Sequence, residues 1–202
     1  ATRSLYWVDI LHPAVYRFDP ATGLNETCET GKLVSSVMPC GDGSLAVATQ
    51  DGIEFLDFAS GTLQPLVDPE AGIPENRLND AKVGPGGAIW VGSMRLDASK
   101  PSGALYRVAA DGTVTRKESG ISVSNGMAWS PDNRVFYFVD TVPGLIYAYD
   151  FEPGKGVLGN RRVLARIPEG EGRPDGIAVD REGGVWCAIW DGWRVNRYLP
   201  DG

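Results

Sequence analysis

The feature that most constrains the fold is a gap-free repeat of twelve-residue segments. Three segments align without an insertion: residues 79–90, 125–136 and 175–186. Each begins with Asn or Asp, continues through a short strand-like run, turns at Pro or Gly, and reaches an aromatic residue eleven positions after its start. The starting residues Asn79, Asn125 and Asp175 are 46 and 50 residues apart. A repeat of this length, built from short strands, is typical of one blade of a β-propeller.

Two weaker copies extend the repeat toward the start of the chain. Residues 35–46 match with Ser35 in the starting position, and residues 5–10 resemble only the second strand of a copy, residues 136–141. Further strand-like runs with their own turns follow the second strands at residues 14–20, 103–112, 145–154 and 194–202. We therefore predict an all-β fold and a single propeller domain over residues 1–202. A β-sandwich would explain the strands but not their regular recurrence.

Composition agrees with a globular domain and excludes some partners. The 202 residues are 43% apolar and 22% charged, and the formal net charge is −7. A negative charge argues against nucleic acid or an anionic membrane as the main partner, and no apolar run is long enough to cross a bilayer. Cys28, Cys40 and Cys187 are odd in number and lack C-x-x-C spacing, which predicts free, mostly buried thiols in a reducing, cytoplasmic compartment.

The starting residues of the repeats are expected to meet. The first strand of a propeller blade lines the central channel, so a residue just before that strand lies at one mouth of the channel. Asn79, Asn125 and Asp175 should therefore face one another. Their amide and carboxylate oxygens suit Ca²⁺, Mg²⁺ or Mn²⁺ better than a soft metal. The alternative is that all three bond backbone groups at strand ends, as Asn and Asp often do.

Other residues are weaker candidates. Arg77 could bind an anionic or polyhydroxylated ligand, or could be a solvated loop charge. Asp9 and Asp140 each end a second strand and are better explained as acceptors for loop amides than as channel residues. His12, the only histidine, is expected on the surface. Trp190 could form a wall of the pocket beside Asp175, although packing is the more common role of such an aromatic residue.

Several motifs together resemble one family over essentially the whole chain. They are Y-W-V-D-I, R-L-N-D-A-K-V-G-P-G-G, G-A-L-Y-R-V, S-N-G-M-A-W-S-P-D and the run from N-R-R-V-L to P-D-G-I-A-V-D. In this order they look like the gluconolactonase, regucalcin and luciferin-regenerating-enzyme family. The resemblance implies a six-bladed propeller that binds one divalent cation in its channel and hydrolyses a sugar lactone.

The same resemblance assigns residues to roles. The Asn of S-N-G and the Asp of P-D-G hold the cation in that family, which implies Asn125 and Asp175 as ligands. The Arg and Asn of R-x-N-D contact the substrate, which implies Arg77 and Asn79. Asp175 is also the candidate general base, with a purely ligating role as the alternative. Ca²⁺ is the expected ion, and Zn²⁺, Mn²⁺ and Mg²⁺ are alternatives.

The sequence departs from the family pattern in three places. The third family ligand, a first-blade Glu, would lie upstream of Ala1. The sequence stops at Gly202, inside the fifth expected blade. We therefore expect an incomplete fragment, from part of blade 1 through most of blade 5, with weak or absent activity of its own. A substrate-contacting Glu known in some relatives would fall near Ser99 and is replaced there.

Two rival functions stay open from the sequence. One is a divalent-metal-binding propeller without catalysis, such as a calcium-binding module similar to regucalcin. The other is a relative of the strictosidine-synthase-like or organophosphate-hydrolysing propellers. The combination of S-N-G, P-D-G and R-L-N-D favours the lactonase branch over this second rival.

Overall fold

The computed structural model describes residues 3–41 and 43–200. Within these ranges it contains eighteen β-strands and no helix, so no helix there could cross a membrane. The strands form five antiparallel sheets that follow one another along the chain. The expected ends of the fragment, at Ala1 and Gly202, lie outside the described residues.

Each sheet is built from consecutive strands. The first sheet contains β1 Leu5–Asp9, β2 Ala14–Asp19 and β3 Leu24–Glu29, and the second contains β4 Val34–Pro39, β5 Leu45–Thr49, β6 Gly52–Asp57 and β7 Thr62–Val67. The third sheet contains β8 Asn76–Val83, β9 Ile89–Arg95, β10 Gly103–Val108 and β11 Val114–Ile121, and the fourth contains β12 Ser124–Trp129, β13 Val135–Asp140, β14 Leu145–Glu152 and β15 Val157–Arg166. The fifth sheet contains β16 Arg173–Val179, β17 Val185–Trp190 and β18 Arg194–Tyr198.

The burial of each strand reflects the position of its sheet. β17 belongs to the last sheet, and its side chains alternate between buried and exposed from Val185 to Trp190. That alternation is the period of two expected for a strand with one covered face. β13 lies in a sheet with neighbours on both sides, and every residue from Phe136 to Asp140 is buried. Strands covered on both faces read as continuous apolar runs, as β13 does.

The hydrophobic core consists of four clusters, one between each pair of successive sheets. The cluster between the third and fourth sheets is the most aromatic. There Trp90 packs against Trp129, Phe136 and Phe151 with ring centroids 5.0–5.9 Å apart. Replacing a fully buried residue such as Phe136 with Ala should cost about 3–5 kcal/mol of stability. Stability therefore comes from packing sheet against sheet.

The sheets are arranged so that their first strands lie side by side. β4 packs against β8, β8 against β12, and β12 against β16. Hydrogen bonds also cross the sheet boundaries: Ser36 Oγ of β4 donates to the Asn79 carbonyl of β8 at 3.1 Å, and Thr141 Oγ1, just after β13, donates to the Pro174 carbonyl of β16 at 2.9 Å. This is the architecture of a β-propeller with five blades, which confirms the predicted all-β propeller. A sixth blade stays a prediction.

The cysteines are free, as predicted. Cys28 and Cys187 are buried, and Cys40 is partly exposed. Cys187 lies on β17 beneath Asp175, and burial raises the pKa of its thiol to about 11. These thiols pack as small apolar groups. The reducing, cytoplasmic compartment stays a prediction.

Candidate active site

The starting residues of four repeats line one cavity of about 660 Å³. Ser35, Asn79, Asn125 and Asp175 come from the first strands of the second to fifth sheets, and all four lie on its wall. The starting residues of the repeats therefore meet at one cavity, as expected, and Ser35 of a weaker copy is among them. The roles assigned to these residues stay predictions.

A β-bulge at the same place in each first strand turns these residues toward the cavity. The pairing register shifts around Ser35 in β4, Asn79 in β8, Asn125 in β12 and Asp175 in β16. We expected the residues just before the strands, and this was wrong, because each lies inside its strand. A bulge inserts an unpaired residue and redirects its side chain, which is how a strand interior can supply a site residue.

Asp175 is therefore not part of a tight turn. It lies in β16, followed by Gly176, which also lines the cavity. The glycine that the close packing requires is Gly126 of β12, because a Cβ there would lie 2.5 Å from the Ile177 nitrogen and 2.7 Å from the Asp175 carbonyl oxygen. The Asn-Gly pair of β12 thus lets the two strands approach each other closely. That approach brings Asn125 beside Asp175.

The Asn125 amide is oriented by its neighbours. Its Nδ2 donates to Thr141 Oγ1 at 3.1 Å, and Thr141 donates onward to the Pro174 carbonyl. The amide also lowers the pKa of the nearby Asp175 carboxylate, and because a carboxylate can only accept, Nδ2 is the end of the amide that serves it. The Oδ1 atom is then the acceptor that Asn125 offers to the cavity.

The Asn79 amide is bonded within the protein at both ends. Its Oδ1 accepts from Arg77 Nη1 at 2.7 Å, and its Nδ2 donates to the Ser124 carbonyl at 2.7 Å. Arg77 Nη1 also donates to the Leu78 carbonyl at 2.9 Å. Arg77 is thus a half-buried cavity residue and not a solvated loop charge. Both bonds use Nη1, which leaves Nε and Nη2 to serve a ligand.

A family model described as "SMP-30/Gluconolactonase/LRE-like region" matches residues 1–202. The chain belongs to this family. Regucalcin of Danio rerio is 36% identical over 98% of this chain and 67% of its own length. Pentonolactonase XacC of Haloferax volcanii is 34% identical over 99% of this chain and 67% of its own length. The chain therefore spans about two thirds of these relatives.

The fold agrees with a solved member of the SMP-30/gluconolactonase family. The crystal structure of regucalcin from Agrobacterium tumefaciens, described as a calcium-binding protein, has a TM-score of 0.93 and 31% identity. The match covers 100% of this chain and 68% of that one. The family resemblance of the motifs is thus confirmed.

Sequence reasoning missed one carboxylate of the site. Asp80 follows Asn79 at the bulge of β8 and lines the same cavity as Asp175. It also borders a second cavity of about 520 Å³, which lies further along the first strands. Its Oδ1 accepts from Ser36 Oγ at 3.5 Å, a long contact. The signal was present in the R-L-N-D motif, but only the Arg and Asn were singled out.

Burial raises the pKa of both cavity carboxylates. For Asp175 the cause is desolvation, opposed by hydrogen bonds from the Gly176 N–H and the Asn125 amide. For Asp80 it is also desolvation, and the nearby Asp175 charge raises the pKa further. Over the described part of the chain, no lysine or arginine forms an ion pair with either carboxylate.

The residues present fit a hard divalent cation. Two partly buried carboxylates without a cationic partner, next to the Asn125 Oδ1 acceptor, form an all-oxygen donor set. Residues 3–41 and 43–200 contain no cluster of three His, Cys, Asp or Glu side chains suited to a metal, so amide oxygens would have to contribute. An oxygen-only set of this kind favours Ca²⁺, Mg²⁺ or Mn²⁺.

The weaker candidates are placed as follows. Asp140 accepts backbone N–H bonds from Ser122 and Val123, and Asp9 accepts them from Leu11 and His12, so both serve loop amides as expected. His12 is exposed, as predicted.

The remaining cavity wall includes two positions discussed from the sequence. Trp190 lines the cavity with 52% of its surface exposed, so it forms a wall beside Asp175. The loop that contains Ser99 reaches the cavity through Ala98, whose φ is 53°. At that point the loop therefore offers only a methyl group.

Proposed function

We propose that the full-length protein hydrolyses a sugar lactone with the help of one divalent cation. The observation that carries this proposal is that Asn125 and Asp175, on neighbouring first strands, line one cavity. Arg77 and Asn79 line the same cavity. A relative with 34% identity is named a pentonolactonase, which supports a lactone as substrate. The cavity volume of about 660 Å³ lies in the range of small-molecule sites.

Asn125 Oδ1 and the Asp175 carboxylate would hold the cation. The family resemblance predicts a further Glu ligand from the first blade, upstream of Ala1, in a six-bladed ring. When bound, the cation would polarise the lactone carbonyl and stabilise the negative charge that develops on its oxygen. Ca²⁺ is the ion we favour, because the Agrobacterium relative is described as calcium-binding.

Asp175 is suited to accept a proton from the attacking water. Burial raises the pKa of its carboxyl group, which makes the carboxylate a stronger base than an exposed aspartate. The water oxygen bonds to the carbonyl carbon while its proton moves to an Asp175 oxygen. The ring carbon–oxygen bond then breaks, and the departing ring oxygen takes up that proton to give the open hydroxy acid. In the alternative, Asp175 serves only as a ligand.

Arg77 and Asn79 would orient the sugar ring. The Arg77 guanidinium is fixed by its bonds to Asn79 Oδ1 and the Leu78 carbonyl, so its other donors have a defined direction. Donors held in place before binding lose little freedom when they bind ring hydroxyls. Asn79 contributes mainly by holding Arg77, since its own Nδ2 is used on Ser124.

A cation-binding propeller without catalysis is the second candidate function. It is favoured by the relatives named regucalcin and by the description of one of them as calcium-binding. Asn125 and Asp175 would then bind a cation for storage or signalling. Both candidates share the cation site and differ in turnover.

Lactone hydrolysis with and without cation separates the two functions. The full-length protein is assayed on aldono-lactones with Ca²⁺, Mn²⁺, Mg²⁺, Zn²⁺ or EDTA, and Ca²⁺ binding is measured by calorimetry. We expect turnover that EDTA abolishes, and Asp175→Ala should lower it by about 100- to 1000-fold. Asp9→Ala is the matched control, because Asp9 is an exposed aspartate outside the cavity wall. Turnover that persists in EDTA, or that Asp175→Ala leaves undiminished, would refute the proposed mechanism, and cation binding without turnover would support the second function.

A further inference from the structure

The repeat places a second arginine at the position equivalent to Arg77. Arg77 precedes the starting residue Asn79 by two positions, and Arg173 precedes Asp175 by two positions. The fourth-sheet equivalent is Val123, and all three line the cavity. Arg173 and Asp175 both line the cavity, so the cavity side of β16 carries both charges. The cavity wall therefore carries two guanidinium groups related by the blade repeat.

A cross-strand aromatic contact positions Arg173. In the register of β16 and β17, Arg173 lies directly opposite Trp190. Its guanidinium carbon lies 5.6 Å from the Trp190 ring centroid, within the range of a cation–π contact. Both side chains line the cavity. A partly exposed tryptophan thus supports the guanidinium of an arginine on the cavity wall.

Neither cavity arginine is neutralised by the protein. Of the ion pairs found between described residues, none includes Arg77 or Arg173, although Arg17, Arg161, Arg162, Arg194 and Arg197 all have carboxylate partners. The two carboxylates on the cavity wall, Asp80 and Asp175, would balance the charge of one divalent cation. With that cation bound, Arg77 and Arg173 leave the cavity with excess positive charge, and one positive charge is still in excess when the first-blade Glu that the family resemblance predicts is counted. The unmatched charge favours an anionic ligand.

We propose that Arg173, supported by Trp190, is a specificity-determining residue that acts with Arg77 to bind a carboxylate substituent on the sugar lactone. The inference rests on the proposed lactonase function and names its substrate class, lactones of sugar diacids. A guanidinium binds a carboxylate through two parallel N–H bonds, a geometry that a neutral hydroxymethyl group cannot match.

Two lactones with the same ring test this proposal. D-Glucaro-1,4-lactone carries a carboxylate where D-glucono-1,4-lactone carries a hydroxymethyl group. Arg173→Gln should lower kcat/KM for the glucaro-lactone by about tenfold more than for the glucono-lactone, mainly through KM. Arg173→Lys should retain part of the preference, because the charge remains without the fork. Arg181→Gln is the matched control, an exposed arginine in a turn of the same sheet.

A binding measurement keeps this inference separate from the proposed function. Binding of both lactones is followed by calorimetry with Ca²⁺ present, whether or not either is hydrolysed. The wild type should bind the glucaro-lactone about tenfold more tightly or better, and Arg173→Gln should remove that difference. Equal binding of both lactones by the wild type, or a preference that survives Arg173→Gln, would overturn the inference. Absence of turnover with this binding pattern would instead overturn only the lactonase function.

Discussion

The first strands of the third and fourth sheets carry the same residue at the same bulge, yet they use it differently. Asn79 in β8 is 9% exposed and bonded at both ends of its amide, to Arg77 and to the Ser124 carbonyl. Asn125 in β12 is more exposed and lines the cavity; its Nδ2 donates to Thr141, and among the described residues no group donates to its Oδ1. The difference shows that a repeated position can be structural in one blade and available for chemistry in the next.

The neighbours of the two asparagines explain this difference. Arg77 lies two positions before Asn79, and its guanidinium donates a hydrogen bond to the Asn79 amide oxygen. The Asn79 amide nitrogen donates to the Ser124 carbonyl of the next first strand. Asn125 follows Val123 at the position equivalent to Arg77, and an apolar side chain cannot occupy its oxygen. One residue, two positions earlier, therefore decides whether the amide oxygen is used internally or left for a ligand.

The largest expected effect is the loss of cation binding in Asn125→Ala. Removal of a direct ligand should weaken Ca²⁺ binding by more than the roughly 10- to 100-fold that loss of a supporting residue costs. The free energy of unfolding should change little, within about 0.5–1 kcal/mol, because the side chain is partly exposed. Calorimetric titration and urea unfolding measure the two quantities. Unchanged Ca²⁺ affinity would show that Asn125 is not a ligand.

The reverse pattern is expected for Asn79→Ala. This change leaves the Ser124 carbonyl and the Arg77 guanidinium without a partner in a buried region, which should cost about 1–3 kcal/mol of stability. Ca²⁺ affinity should stay within about threefold, whereas KM for a lactone should rise because Arg77 loses its anchor. Urea unfolding, calorimetry and steady-state kinetics report these effects. Loss of Ca²⁺ binding in this variant would make Asn79 a ligand and remove the contrast with Asn125.

The hydrogen bonds that Asp140 accepts just before β12 allow a smaller, controlled test of stability. The Asp140 carboxylate is 4% exposed and accepts the N–H bonds of Ser122 and Val123, just before β12 begins. Asp140→Ala should cost about 1–3 kcal/mol of stability, because partly buried N–H groups lose their acceptor. Asp9→Ala removes the same type of bond at an exposed site and should cost no more than about 0.5 kcal/mol. Equal losses in urea unfolding would show that burial does not set the effect.

The smallest expected effect is a pH-dependent gain in stability from Asp80→Asn. At the second bulge position β8 carries Asp80, whereas β12 carries Gly126. Burial raises the pKa of Asp80 above its ordinary value of 3.8, so the ionised form is less favourable in the folded than in the unfolded state. This penalty is present above the raised pKa and is lost as the pH falls toward 3.8.

Melting of EDTA-treated protein at several pH values measures this effect. Asp80→Asn should melt higher than the wild type at pH 7, and the difference should shrink as the pH approaches 4. Asp132→Asn is a matched control, because hydrogen bonds lower the pKa of this exposed carboxyl and it lies in a surface turn. A difference in melting temperature that grows toward low pH would contradict this prediction, because the penalty for a buried, unpaired carboxylate disappears once the carboxylate is protonated.

Much of the site could be predicted from spacing alone. Asn79, Asn125 and Asp175 were expected to meet because they start three copies of one repeat, and they line one cavity. Asp80 was missed, because a residue next to a starting residue on an ordinary strand would point away from the channel. The residue types of β8 include Asp80 within R-L-N-D, but they do not show the bulge that brings Asp80 to the cavity wall. The internal bonding of Asn79 was also hidden, since its partner Ser124 lies in another sheet.

Local periodicity and repeat length determined that this chain forms strands, that the strands group into blades, and which residue of each blade approaches the axis. These properties depend on residues within about fifty positions of one another, so the sequence carries them directly. Only the tertiary structure decided which of the equivalent residues are occupied by neighbours and which face the cavity. Those choices depend on contacts of a few ångströms between sheets, such as Asn79 with Ser124 and Gly126 against Ile177. Packing of one blade against the next sets such distances, and no single repeat contains them.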